Sequence, residues 1–157
     1  MNKKNLPPNA LFWSIIIILL VLDQGSKFWA ESVLRWHPPI FVLPGLFDMV
    51  YVQNTGVAFG FMQNHNFWLA FLTPLILVVG FVMARECDWS KTETNVIASL
   101  LCSGALGNWC DRLRLGYVVD FLDFYVGHHH WPAFNVADSC LCVGVAWILM
   151  RAVIVKD

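Results

Sequence analysis

The sequence predicts an all-α membrane fold, four transmembrane helices with small extracytoplasmic β elements and loops, and three observations predict it. Four stretches, about 11–30, 67–84, 95–112 and 138–155, are long and apolar enough to cross a bilayer core, which takes about 20 helical residues. The chain is 58% hydrophobic and only 13% charged, with a mean hydropathy of +0.60. The ionisable residues that do fall on these stretches gather at one end of them. Residues 1–157 read as one membrane domain, without internal repeat or low-complexity segment.

The first span is uncharged as far as Leu22, and Pro7-Pro8-Asn9 supplies a helix stop followed by an N-cap. Lys3 and Lys4 ahead of an apolar run would also suit a cleaved signal peptide. Against that, Asp23-Gln24-Gly25-Ser26-Lys27 offers no small-x-small cleavage site, and three further spans follow. The second span carries no charge, and Thr73-Pro74 predicts a kink there. The third stays uncharged until Asp111, and the fourth holds only Arg151 beyond its first residue, Asp138. The segments between, about 31–66 and 113–137, mix apolar and polar residues. Within them Phe47–Val52 and Gly116–Phe121 are rich in β-branched and aromatic residues, which predicts short strands at the interface.

Charge sets an orientation. With a cytoplasmic N-terminus, Lys3, Lys4, Arg85, Lys91, Arg151 and Lys156 fall inside, against Lys27, Arg35, Arg112 and Arg114 outside, so both termini are expected in the cytoplasm. Trp13 and Trp89 then sit near the inner interface and Trp29, Trp36, Trp68, Trp109 and Trp131 near the outer one, as an aromatic belt.

Composition also excludes. A net charge of -1 provides no basic field for a phosphate backbone, so no nucleic acid is expected. Cys87, Cys102, Cys110, Cys140 and Cys142 are odd in number and lack C-x-x-C spacing, and read as small buried hydrophobes. His128-His129-His130 lacks the spacing of a fixed ligand set and reads as a solvated loop. No metal and no cofactor are expected.

Asp23 and Lys27, Asn108, Asp111 and Arg112, and Asp138 fall at similar depth near the outer ends of the first, third and fourth helices, which points to a single polar site at the outer membrane surface. Gly104, Gly107, Asn108 and Asp111 share one face of the third helix, where glycines permit close approach and the polar pair enters the contact. Two residues keep structural alternatives: Asp23 with Lys27 could be an i,i+4 pair ending a helix, and Asp138 with Asn135 could be a cap for the fourth helix. Arg112 and Arg114 could anchor at lipid phosphate. Strand alternation puts Asp120 and Asp123 on opposite faces, without deciding which points inward.

Five segments, Asp23-Gln24-Gly25-Ser26-Lys27, Asn54-Thr55-Gly56-Val57-Ala58-Phe59-Gly60, Gly104-Ala105-Leu106-Gly107-Asn108-Trp109-Cys110-Asp111-Arg112, Gly116-Tyr117-Val118-Val119-Asp120-Phe121 and Phe134-Asn135-Val136-Ala137-Asp138, resemble in order the motifs of the lipoprotein signal peptidases, or signal peptidase II. The resemblance implies a bacterial inner-membrane aspartic protease that cuts a prolipoprotein just before its diacylglyceryl-modified cysteine, acts without metal or cofactor and is sensitive to globomycin. It implies catalytic roles for Asp120 and Asp138, and substrate-binding or site-shaping roles for Asp23, Asn54, Asn108, Asp111, Arg112 and Asn135, with Lys27, Gly56, Gly104 and Gly107 inside the same motifs. Cys110 stands where the family's motif suggests an aliphatic residue. The expected partners are a lipid-modified prolipoprotein and membrane lipids, and a monomer is expected. A small ion-coupled transporter and a non-enzymatic scaffold are the competing classes; the first would carry its acids near the midplane.

Overall fold

The computed structural model describes residues 8–56 and 62–154; Val57–Gly60 of the second motif, Val155 of the fourth span, and Lys3, Lys4 and Lys156 lie outside the described residues. Four helices and four strands follow in the order α1 (Ala10–Val33), β1 (Ile40–Leu43), β2 (Phe47–Asn54), α2 (Asn66–Ala84), α3 (Thr92–Leu115), β3 (Val118–Val126), β4 (His129–His130) and α4 (Val136–Ile154). The strands form one antiparallel sheet in the order β1-β2-β3-β4.

Helix starts and stops follow the local chemistry. Asn9 caps α1, its side-chain oxygen accepting from the N–H groups of Leu11 and Phe12 at 3.0 and 3.3 Å. The left-handed Gly116 (φ 83°) ends α3, and its N–H donates to the Arg112 carbonyl at 3.2 Å; there a side chain would be strained. Pro74 lies inside α2 and removes the N–H that would have bonded the Ala70 carbonyl. The indole N–H of Trp109 on α3 donates to that carbonyl instead, at 2.8 Å, and Thr73 Oγ1 donates to the Leu69 carbonyl at 2.8 Å.

Among the described residues three helices, α1, α2 and α4, are long and apolar enough to cross a membrane; α3, expected as the third of four spans, does not reach that apolarity. The polar residues along its inner face are covered by protein: Asn95, Ser99, Ser103, Asn108 and Asp111 are all buried. α3 packs against α1, α2 and α4, so its polar face looks into the bundle. The other helices show the reverse distribution. Trp13, Ile17, Ile18, Val21 and Leu22 of α1 are exposed, and among the described residues of α2 only Leu69 is buried. An interior richer in polar groups than the surface is what a protein surrounded by hydrocarbon needs.

Apolar packing holds the two ends of this arrangement. Ala30 and Leu34 meet Val119 and Phe121 where α1 passes under the sheet, and Phe12 and Ile16 meet Trp89 at the opposite end of α1. Trp89 is therefore a core residue, its indole donating to the Ala84 carbonyl at 3.0 Å, rather than a member of an interfacial belt. Three further expectations are corrected. Cys87, Cys110 and Cys142 are exposed, leaving Cys140 buried and Cys102 half-buried; on an outward helix face a small apolar thiol meets the surroundings without cost. His129 and His130 pair with β3 as a strand, so the His128–His130 run is not simply a loop. β1 adds a strand beyond the two expected.

Replacing Trp109 by Phe leaves the Ala70 carbonyl without a donor in an apolar setting. The expected cost is about 1–3 kcal/mol, read as a fall of several degrees in the thermal midpoint of the detergent-purified protein; an unchanged midpoint would contradict the proposed rescue of the proline gap.

Candidate active site

The site forms where α1, α3, the N-terminus of α4 and the start of β3 converge. Asp120 follows the buried pair Val118 and Val119 on β3 and is itself 1% exposed. Three residues along, Asp123 faces away and pairs with His130 Nδ1 at 2.9 Å, so alternation turns Asp120 inward.

Asp138 is the third residue of α4, and the helix start explains its placement. Asn135 is the N-cap: its Oδ1 accepts the Asp138 N–H at 2.9 Å, while Asp138 Oδ2 accepts the Asn135 N–H at 3.3 Å. This reciprocal box satisfies two donors that a helix start leaves open. The capping role and the site role of Asp138 thus coexist, because its other oxygen, Oδ1, accepts from Asn108 Nδ2 at 2.7 Å.

Three asparagines join the acids. Asn135 Nδ2 donates to Asp120 Oδ1 at 2.6 Å, so this one residue donates to both carboxylates, to Asp120 from its side chain and to Asp138 from its backbone N–H. Asn54, at the end of β2, donates from Nδ2 to Asp120 Oδ2 at 2.9 Å while its Oδ1 accepts the Gly56 N–H at 2.9 Å. Asn108 accepts at Oδ1 from Lys27 Nζ at 2.9 Å and from Asn135 Nδ2 at 3.3 Å. In each amide a donor on the oxygen leaves the NH₂ end for a carboxylate, which fixes the orientation of the group.

Beneath the acids lies a buried ionic cluster. Lys27 is 0% exposed and meets Asp23 Oδ2 at 3.0 Å and Asp111 Oδ2 at 3.3 Å. The two carboxylates also accept from Ala137 N–H and Val119 N–H. The pairing of Asp23 with Lys27 is thus no surface helix-end bridge. Gln24, which spacing did not single out, donates to Asp23, to the Gly107 carbonyl and to Asp111 at 3.0, 3.1 and 3.2 Å. Its only sequence signal is membership of the Asp23–Lys27 motif.

The glycines serve close approach. A Cβ on Gly104 would sit 2.5 Å from the Ala137 carbonyl oxygen, and one on Gly107 would overlap the Asp23 carboxylate. Arg112 Nη2 donates to the Gly56 carbonyl at 2.7 Å, while its Nε is buried without a bonding partner. Asn66, absent from the expected set, donates to the Arg112 carbonyl at 3.3 Å. Arg114 pairs with Glu31 at 2.9 Å. Among the described residues no three or more His, Cys, Asp or Glu side chains converge in a way that could hold a metal.

Burial pushes the Asp120 carboxyl up, the Asp138 charge adds to this, and amide donation from Asn54 and Asn135 together with the Lys27 charge offsets part of it; the result is about 7. A carboxyl tuned to neutrality can exchange a proton at working pH.

The same architecture occurs in solved bacterial membrane enzymes. One, determined by the in meso method at 2.3 Å resolution, aligns with a TM-score of 0.82 and 29% identity over 90% of this chain and 87% of its own. Another, at 1.9 Å, aligns at 0.79 with 29% identity over 93% of both. A lipoprotein signal peptidase of Geobacter metallireducens is 43% identical over 91% of each chain, and one of Photorhabdus laumondii is 34% identical over the whole chain and 96% of the relative. The family described as signal peptidase (SPase) II matches residues 15–154, and the chain belongs to that family.

The native state holds the Asp120 proton more tightly than the unfolded chain does, so the associated stability is present below about pH 4 and is lost as pH rises through about 7. Raising pH from 4 to 7 should therefore lower the melting point of the unsubstituted protein more than that of Asp120→Asn. Parallel slopes for the two would contradict the placement of that proton.

Proposed function

We propose that this chain is an aspartic endopeptidase that cleaves a lipid-modified prolipoprotein immediately before its diacylglyceryl cysteine, with Asp120 and Asp138 as the catalytic pair. The observation that carries this reading is Asn135, whose side-chain amide donates to the Asp120 carboxylate and whose backbone N–H donates to the Asp138 carboxylate, with Asp120 buried and tuned to about 7. Family membership supports the substrate class, since the relatives are lipoprotein signal peptidases. It gives no support to an ion-coupled transporter, and of the acids at the site Asp138 lies at the start of α4, Asp111 near the end of α3 and Asp120 on a strand outside the helices.

Two carboxyls at short range titrate as a unit and hold one proton between them near neutrality. Asp138, at a helix N-terminus and accepting from Asn108 and the Asn135 N–H, is favoured as the ionised member. Asp120, buried in β3, holds the proton. The ionised carboxylate takes a proton from water as the oxygen attacks the scissile carbonyl, while the protonated partner donates to the developing oxyanion. Collapse of the intermediate returns a proton to the leaving amine.

Orientation follows the same reading. With four membrane-crossing helices in one membrane domain and both termini cytoplasmic, the pair lies at the outer face of a bacterial inner membrane. Arg85 and Lys91 in the α2–α3 turn then face the cytoplasm. The substrate's signal helix would lie in the bilayer against the apolar bundle, and the enzyme works as a monomer, inhibited by globomycin.

Purified Asp120→Asn and Asp138→Asn should each lose about 1,000-fold or more in cleavage of a lipid-modified precursor, in the upper part of the roughly 100- to 10,000-fold range typical of one acid–base group, with helical circular dichroism retained. Asp123→Asn, which breaks only the His130 pair, should cleave normally, and globomycin should stop cleavage by the unsubstituted enzyme. Full activity from either of the first two variants removes the pair from the reaction.

A further inference from the structure

Lys27 has no access to solvent, and its three N–H bonds find three acceptors: Asp23 Oδ2 at 3.0 Å, Asp111 Oδ2 at 3.3 Å and Asn108 Oδ1 at 2.9 Å. The two carboxylates turn their remaining bonds to main-chain N–H groups, and the choice of those groups is informative. Asp111 Oδ2 accepts from Val119 N–H at 3.0 Å, the residue immediately before Asp120. Asp23 Oδ1 accepts from Ala137 N–H at 2.9 Å, the residue immediately before Asp138. Each carboxylate thus grips the peptide next to one member of the proposed pair, and one ammonium draws the two grips together. The third acceptor, Asn108, completes the arrangement by donating to Asp138 itself at 2.7 Å. Gln24 laces the two carboxylates a second time, from 3.0 and 3.2 Å.

We propose that Lys27 is a positioning residue that, through Asp23 and Asp111, sets the separation between Asp120 and Asp138 by fixing β3 against the start of α4. This rests on the aspartic reading above. Lys27 touches neither acid; beside the through-space pull of its charge on Asp120, its hold on the pair runs through intermediaries and is geometric. Removing the ammonium leaves two buried carboxylates facing each other without a counter-charge, and their repulsion loosens both grips. A displacement on the order of 1 Å at a reacting group costs about 100-fold in rate.

The test is the pH profile of kcat/KM. Two carboxyls that share a proton titrate at well-separated apparent values because they are close, and that separation narrows as they part. Lys27→Met should lower kcat by about 100-fold, leave KM within about twofold, and bring the acid and alkaline limbs together by about one pH unit or more. Loss of a positive charge acting only through space would instead move both limbs upward in parallel. Parallel displacement, or limbs that stay where they are, overturns the proposal. If Lys27→Met fails to fold, Asp111→Asn carries the test: its amide oxygen can still accept from Val119 while losing the ionic tie to Lys27, and a smaller narrowing is expected. Unmoved or parallel limbs in that variant overturn the proposal equally. Failure of the aspartic reading is separately visible, as activity retained by Asp120→Asn or Asp138→Asn.

Discussion

An ammonium group sealed from solvent must be met by acceptors, and the three that meet Lys27 dictate how α1 and α3 pack. Two come from α3, so the helices have to approach closely, and glycine at 107 leaves room for the Asp23 carboxylate there. Gly104 does the same for the start of α4 against α3. The polar junction is thus the reason for the small residues around it. Surrounded by apolar side chains and hydrocarbon, such a cluster is tolerable only when its charges are paired and hydrogen-bonded, and breaking one partner of a buried pair costs about 3–5 kcal/mol.

The same junction explains why the sheet lies where it does. β3 is bound to the bundle through Val119 N–H on Asp111, and α4 begins where Asp23 and Asn135 satisfy its first free N–H groups. β3 and α4, separated in the chain only by the short β4, are therefore held at one point by Asp111 of α3 and Asp23 of α1. Asn54 approaches Asp120 from β2, carried by the antiparallel pairing of Val52 with Asp120. The result is one buried and one half-buried acid, held by amides whose orientation is fixed by donors on their oxygens.

Much of this was legible in the residues. The helices fall within a few residues of the expected spans, and Asn9 caps as its position after Pro7-Pro8 suggests. The shared face of Gly104, Gly107, Asn108 and Asp111 is a contact face, as helical spacing predicts. Other features depend on neighbours that no local pattern reveals. α3 reads as a span in its uncharged stretch, yet its buried serines and Asn95 make it the polar centre that the other helices cover. β1 is an exposed apolar run without alternation, and only its pairing with β2 makes it a strand. Gln24 matters because α3 comes near enough to be reached, and in the sequence only the family resemblance separates Asp120 from Asp123, the burial that distinguishes them being a property of the folded sheet.

The central claim is that Asp120 and Asp138 hold a single proton between them near neutral pH. Infrared titration of protein carrying isotope-labelled aspartate measures it directly, by following the protonated-carboxyl band. The account predicts one such band that persists to about pH 7, disappears from the Asp120→Asn protein and moves to lower pH in the Asp138→Asn protein, where burial still holds the proton without the neighbouring charge. A spectrum in which every aspartate is ionised by about pH 5, or a neutral-pH band that survives both substitutions, would contradict it.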